Sequence, residues 1–138
     1  MRNLFITVLA VITVTSFTAC YDRDIADLKA FDHSLPKVEN LKYTKQGAEL
    51  VQITWNIPAN ISPAFRTPLE VSIQKVENDV YREIVIVGGG ATSRDIPVTP
   101  NKSYKFVVKL AGYLTDDARE KGKPDRVYSE AQIIEIQL

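Results

Sequence analysis

Few side chains in this chain of 138 residues are of a type and spacing to do chemistry. Three consecutive glycines, Gly88 to Gly90, follow the β-branched run Ile84 to Val87, which is how a phosphate-cradling loop opens. A dinucleotide cradle needs G-x-G-x-x-G at the start of a helix, whose first amides hold the pyrophosphate, and an acid roughly 20 residues on for the ribose. Gly88 and Gly90 fit, but Ser93 stands where the third glycine belongs, and Pro97 and Pro100 interrupt what would be the helix. Where the acid should fall, Lys109 to Tyr113 contain none. No nucleotide is therefore expected. The glycines read instead as a hairpin connection, in which positive φ lets one strand turn back into the next.

The remaining reactive groups are sparse. His33 is the single histidine and Cys20 the single cysteine. A serine or thiol nucleophile would thus lack a nearby base, and no Cys/His cluster has zinc spacing. Asp116, Asp117, Glu120 and Asp125 share one stretch, and hard oxygen donors are what calcium takes. The D-x-D-x-D-G alternation is missing, however, and Arg119, Lys121, Lys123 and Arg126 interleave with the acids. Such a stretch reads as a solvated, self-paired loop. No metal, no cofactor and no catalysis are expected. Tyr113 and Tyr128 flank the base of the loop, where tyrosines either pack across strands or, if exposed, stack on sugars or anchor a protein. The candidate binding loop is therefore Tyr113, Asp116, Asp117, Arg119, Glu120, Arg126 and Tyr128.

The elements that must position these residues begin with an atypical N-terminus. Met1 to Asn3 carries one positive charge, Leu4 to Val14 is a mostly apolar run, and Thr15 to Ala19 is mostly small, the layout of a secretory signal. The run is too short for a permanent membrane span. Phe17-Thr18-Ala19-Cys20 resembles the lipobox of bacterial lipoproteins, which implies cleavage before Cys20 and acylation of its sulfur and amine. Two or three acyl chains give durable anchoring where one does not. The expected organisation is a signal over 1–19, the lipidated Cys20 with a flexible tether over 20–36, and one domain over 37–138. The tether carries Asp22, Asp24, Asp27 and Asp32 and few residues that could form a core. Extended, it would reach on the order of 50 Å. Ile25, Leu28 and Phe31 recur at a spacing of three, so a short helix is the alternative. The acids after Cys20 resemble export signals that carry lipoproteins to the cell surface of some Gram-negative outer membranes; a periplasm-facing anchor is the other possibility.

From Lys37 onward the hydrophobic period is two. Val51, Ile53, Trp55 and Ile57 alternate with Gln52, Thr54 and Asn56; Leu69, Val71 and Ile73 alternate with Glu70, Ser72 and Gln74; Tyr104, Phe106, Val108 and Leu110 stand opposite Lys105, Val107, Lys109 and Ala111. One buried and one wet face per strand is the mark of antiparallel sheets. Turn signals divide the chain into seven strands, near 38–43, 50–57, 69–76, 80–87, 92–98, 103–113 and 127–138. The expected fold class is all-β, a seven-stranded antiparallel sandwich.

Val38 to Tyr43, Val51 to Pro58, Ile96 to Tyr113 and Tyr128 to Ile136 together resemble a fibronectin type III domain, an immunoglobulin-like fold. The resemblance implies that Trp55 is the core tryptophan and that the Tyr104 hydroxyl ties down the loop before its strand. The third and fourth strands lack the family's usual aromatics, and the loop after Tyr113 is longer and more charged.

Lys+Arg and Asp+Glu both number 17, so no global field attracts nucleic acid. The functional expectation is a non-catalytic, lipid-anchored protein of the cell envelope, acting as a protein or glycan interaction module at the outer membrane. A structural spacer or a stalk or adhesin subunit is one alternative. A surface glycan-binding accessory protein is the other, favoured if Tyr113, Tyr128 or Phe65 form an exposed platform.

Overall fold

A computed structural model describes residues 33–138. The expected signal, Cys20 and most of the expected tether lie outside the described residues. Eight strands follow in order: β1 Glu39–Lys45, β2 Leu50–Asn56, β3 Glu70–Glu77, β4 Val80–Val87, β5 Ser93–Pro97, β6 Ser103–Tyr113, β7 Arg126–Tyr128 and β8 Gln132–Gln137. All pairings are antiparallel and no helix occurs among the described residues.

The strands form two sheets, one ordered β1-β2-β5 and the other β4-β3-β6 with β7 and β8 both on the far side of β6. Their inward positions are the apolar members of each alternating strand. Val51, Ile53, Trp55 and Ile96 from the first sheet and Val71, Ile73, Phe106, Val108, Leu110 and Ile136 from the second join one buried cluster. Leu35, upstream of the expected domain start at Lys37, is already buried in this cluster, and the His33 ring meets Phe65 edge-on at 6.5 Å.

Two expectations are corrected by the pairing. The glycines do not make a hairpin: β4 pairs with β3 and β5 with β2, so Gly88 to Thr92 carries the chain from one sheet to the other. Positive φ at Gly89 and Gly90 supports the reversal, but a turn signal specifies a change of direction and not which sheet receives the strand. The single last strand is also two. Ala111 faces Tyr128 whereas Val108 faces Gln132, so four steps on one side oppose three on the other, which is a bulge. Ser129 holds it: its hydroxyl oxygen accepts from the Leu110 amide at 2.9 Å while the hydroxyl donates to the Glu130 carbonyl at 2.8 Å.

At the end of the molecule that holds the β3–β4 turn, an acid enters the buried layer. Glu77 is 7% exposed, so its carboxylate needs partners in place of water. It is fully paired. Lys102 Nζ donates to its Oε1 at 2.7 Å, Arg82 Nη2 to the same oxygen at 2.9 Å, and the Tyr104 hydroxyl to Oε2 at 2.9 Å. The Tyr104 oxygen in turn accepts from the Thr99 amide at 2.8 Å, tying down the loop before β6 as the resemblance implied. Lys102 above all, then Tyr104, with Arg82 adding and burial opposing, holds the Glu77 carboxyl down from 4.5 to about 2.

A carboxyl depressed on folding contributes stability above the unfolded value and loses it as pH falls through the folded one. Denaturant melts of the full chain should therefore weaken between pH 4.5 and 2, and Glu77→Gln should weaken the protein near neutrality yet show a shallower acid loss. Tyr104→Phe leaves the Thr99 amide and Glu77 each one partner short and should cost about 1 to 3 kcal/mol.

Candidate functional site

The strand order gathers three connections at the end where the described chain begins: residues 57–69 after β2, 88–92 after β4 and 114–125 after β6. The last of these is the charged loop, and it is fastened at its base by backbone hydrogen bonds. Arg66 N donates to Tyr113 O at 2.8 Å, Thr115 N to Ala64 O at 2.8 Å and Leu114 N to Asp125 O at 2.8 Å. Leu114 and Phe65 pair as an isolated bridge and both are buried. Gly112 lets them close: a Cβ there would lie 2.8 Å from Leu69 Cδ2 and 3.1 Å from Phe65 Cδ1. Phe65, at 3% exposure, plugs this end of the core and presents no platform to a ligand.

The candidate residues separate into two groups. Asp116 accepts from Arg66 Nη2 at 2.6 Å beside the loop base, and Glu120 pairs with Lys123 at 2.6 Å farther along the loop; both pairs are exposed. Asp117 and Arg119 are exposed and form no ion pair among the described residues. No group of three or more His, Cys, Asp or Glu side chains is placed to hold a metal among the described residues. Tyr113, Arg126 and Tyr128 instead come together on the outer face of the five-stranded sheet. The Arg126 guanidinium carbon lies 5.3 Å from the Tyr113 ring centre and 5.2 Å from that of Tyr128, and its Nη2 donates to Glu70 Oε2 at 2.8 Å. A weakly hydrated, planar cation between two rings gains from both quadrupoles, so the trio forms a packed unit.

This unit closes one end of a groove on the outer face. Its floor is Ser72, Gln74 and Val107; Ile84 and Ile86 wall one side and Tyr128 the other, with Lys109 in the floor. Ile133 continues the apolar surface beside Val107, its cross-strand neighbour. Tyr128 is 48% and Ile133 55% exposed. The outer face of the three-stranded sheet is its opposite, carrying Lys42, Gln52, Thr54, Ser93 and Asp95, with Gln52 donating to Asp95 at 3.1 Å. The signal for the apolar face was present: Ile133 and Ile134 are adjacent, so alternation must turn one of them outward, and Ile84 to Val87 pose the same conflict.

Arg126 and Asp116 should separate in a stability measurement. Arg126→Ala removes two ring contacts and a half-buried ion pair and should cost about 1 to 2 kcal/mol, with Arg126→Lys intermediate. Asp116→Ala removes an exposed pair and should change stability by less than about 1 kcal/mol. Urea melts of the three variants check the order.

A family model described as a domain of unknown function, DUF4945, matches residues 20–136. No curated protein matches the chain.

Proposed function

The chain belongs to the DUF4945 family, and we propose that it is a non-catalytic interaction module that binds a protein of the cell envelope through the outer face of its five-stranded sheet. The observation that carries this reading is the contrast between the two outer faces. Monomeric proteins seldom leave contiguous apolar side chains in water, and a patch with a polar rim marks an interaction surface. Here Ile84, Ile86, Val107, Tyr128 and Ile133 lie on one face, with Lys109 and Arg126 among them, while the other outer face is polar.

The framework that presents this face is, in this reading, a fibronectin type III-like sandwich. The β1-β2-β5 and β4-β3-β6 orders, the buried Trp55 on β2 and the Tyr104 hydroxyl bound to the loop before β6 support that assignment. The anchor is the proposed lipid on Cys20, placing the module at the outer membrane on the surface side. Glycan binding is the second reading, supported by two half-exposed tyrosines near the loop base. It is weaker because the Arg126 guanidinium already lies over both rings, on faces where a sugar would stack. The spacer or stalk reading keeps the same fold and anchor.

The test places a photo-crosslinking residue at Ile133 or, as control, at Thr54 in the native membrane-bound chain. Protein adducts specific to position 133 are expected. Equal adducts at both positions, or none at 133, contradict the reading. The mass of the mature N-terminus, which must carry acyl groups on Cys20, checks the anchor separately.

A further inference from the structure

We propose that two copies of this chain join edge to edge through β4, so that their five-stranded sheets become one continuous sheet. The inference does not depend on what the outer face binds. Each unpaired edge strand presents a row of free backbone N–H and C=O groups, and proteins blunt such edges with charges, proline or bulges. Three of the four edges among the described strands are blunted. β1 has a bulge between Glu39 and Lys42, with Asn40 at φ 50° and lysines at 42 and 45. β5 carries Arg94, Asp95 and Pro97. The β7 and β8 edge is broken by the bulge at Ser129.

β4 is protected only in its first half. Its register shifts at Arg82, where Glu83 faces Lys75 and Tyr81 faces Val76. Beyond that, Ile84, Val85, Ile86 and Val87 form a regular strand with no charge, proline or bulge. Ile84 is 52% and Ile86 45% exposed, and no described strand pairs with this edge.

The occupant is a second copy because the segment complements itself. Residues directly opposed in an antiparallel pair share a face. A two-fold axis that continues the sheet must therefore pass midway between one residue and its own counterpart. Centring on Arg82 or Glu83 would set like charges opposite each other, which is destabilising. Centring on Val85 uses Glu83 to Val87, all within β4. Val85 then meets Val85 of the second copy, Ile84 and Ile86 meet reciprocally, and Glu83 meets Val87, so no charge opposes a charge. The isoleucines close into one apolar strip, both grooves open on the same side of the joined sheet, and the two loop ends point in opposite directions.

The test uses the full chain with Cys20→Ser, which leaves any new thiol as the only one. Sedimentation should show the mass doubling as concentration rises from micromolar to millimolar. Ile84→Lys and Ile86→Lys should each return it to the monomer with an unchanged β-type circular dichroism spectrum, since both positions are half exposed. Val85→Cys should oxidise to a covalent dimer, because opposed Cα atoms lie about 4.5 to 5.5 Å apart, within disulfide reach. A monomer at every concentration overturns the proposal, as does a lysine variant that dimerises like its parent. A dimer in which Val85→Cys does not crosslink overturns the register.

Discussion

Keeping water out of the layer between the two sheets is the constraint on which every other feature of this molecule rests. The only cysteine is Cys20, so the described residues hold no disulfide, and side-chain burial alone must offset the loss of chain entropy. Each fully buried aliphatic or aromatic side chain contributes about 1.5 to 3 kcal/mol. Trp55, Phe106, Ile53, Ile73 and Leu110 all reach that limit. Their positions at every second residue fix the register as well as the stability, because a slip of one residue would turn the whole inward set to solvent. The outer faces are released from that requirement, which is why one of them can be polar and the other apolar without disturbing the fold.

Electrostatics is organised differently at the two ends. At the end of the β3–β4 turn, Glu77 lies at the margin of the buried layer and is held there by Lys102, Arg82 and Tyr104, whose bonds replace the water its carboxylate has lost. At the loop end, the pair between Arg66 and Asp116 lies in water, where screening leaves it little energy. Arg126 sits between these regimes. It is half buried, pairs with Glu70 and lies between two rings, which makes it the group that joins the loop base to the outer face.

The strands were legible in the sequence because Val51 to Ile57 alternate without interruption and Tyr104 to Leu110 do so except at Val107; the burial of Trp55 follows from that pattern, and the tie made by Tyr104 from the resemblance alone. What failed to show was partnership. Gly88 to Gly90 announce a reversal but are silent on which sheet receives β5, and nothing in the composition of Val127 to Leu138 marks Ser129 as a side chain that replaces a ladder bond. Glu77 reads as an ordinary strand-end acid until Arg82 from its own hairpin and two distant donors, Lys102 and Tyr104, converge on it. Of the candidate site, Tyr113 and Tyr128 were identified from their places around the loop base and Arg126 only as one of the loop's charges, whereas the groove they close was not, since its walls come from β4 and β7 and its floor from β3 and β6. A surface assembled from four strands has no contiguous signature.

The account as a whole requires that adjacent residues of one strand face opposite environments, with an apolar side chain deliberately left in water. Thiol-labelling rates along β8 measure this directly, using single cysteines at positions 133, 134 and 136 in a chain carrying Cys20→Ser. Rapid labelling at 133, slower labelling at 134 and protection at 136 until the protein unfolds are the predicted result. Protection at 133 in the isolated chain, or labelling of 136 as fast as 133, would contradict it.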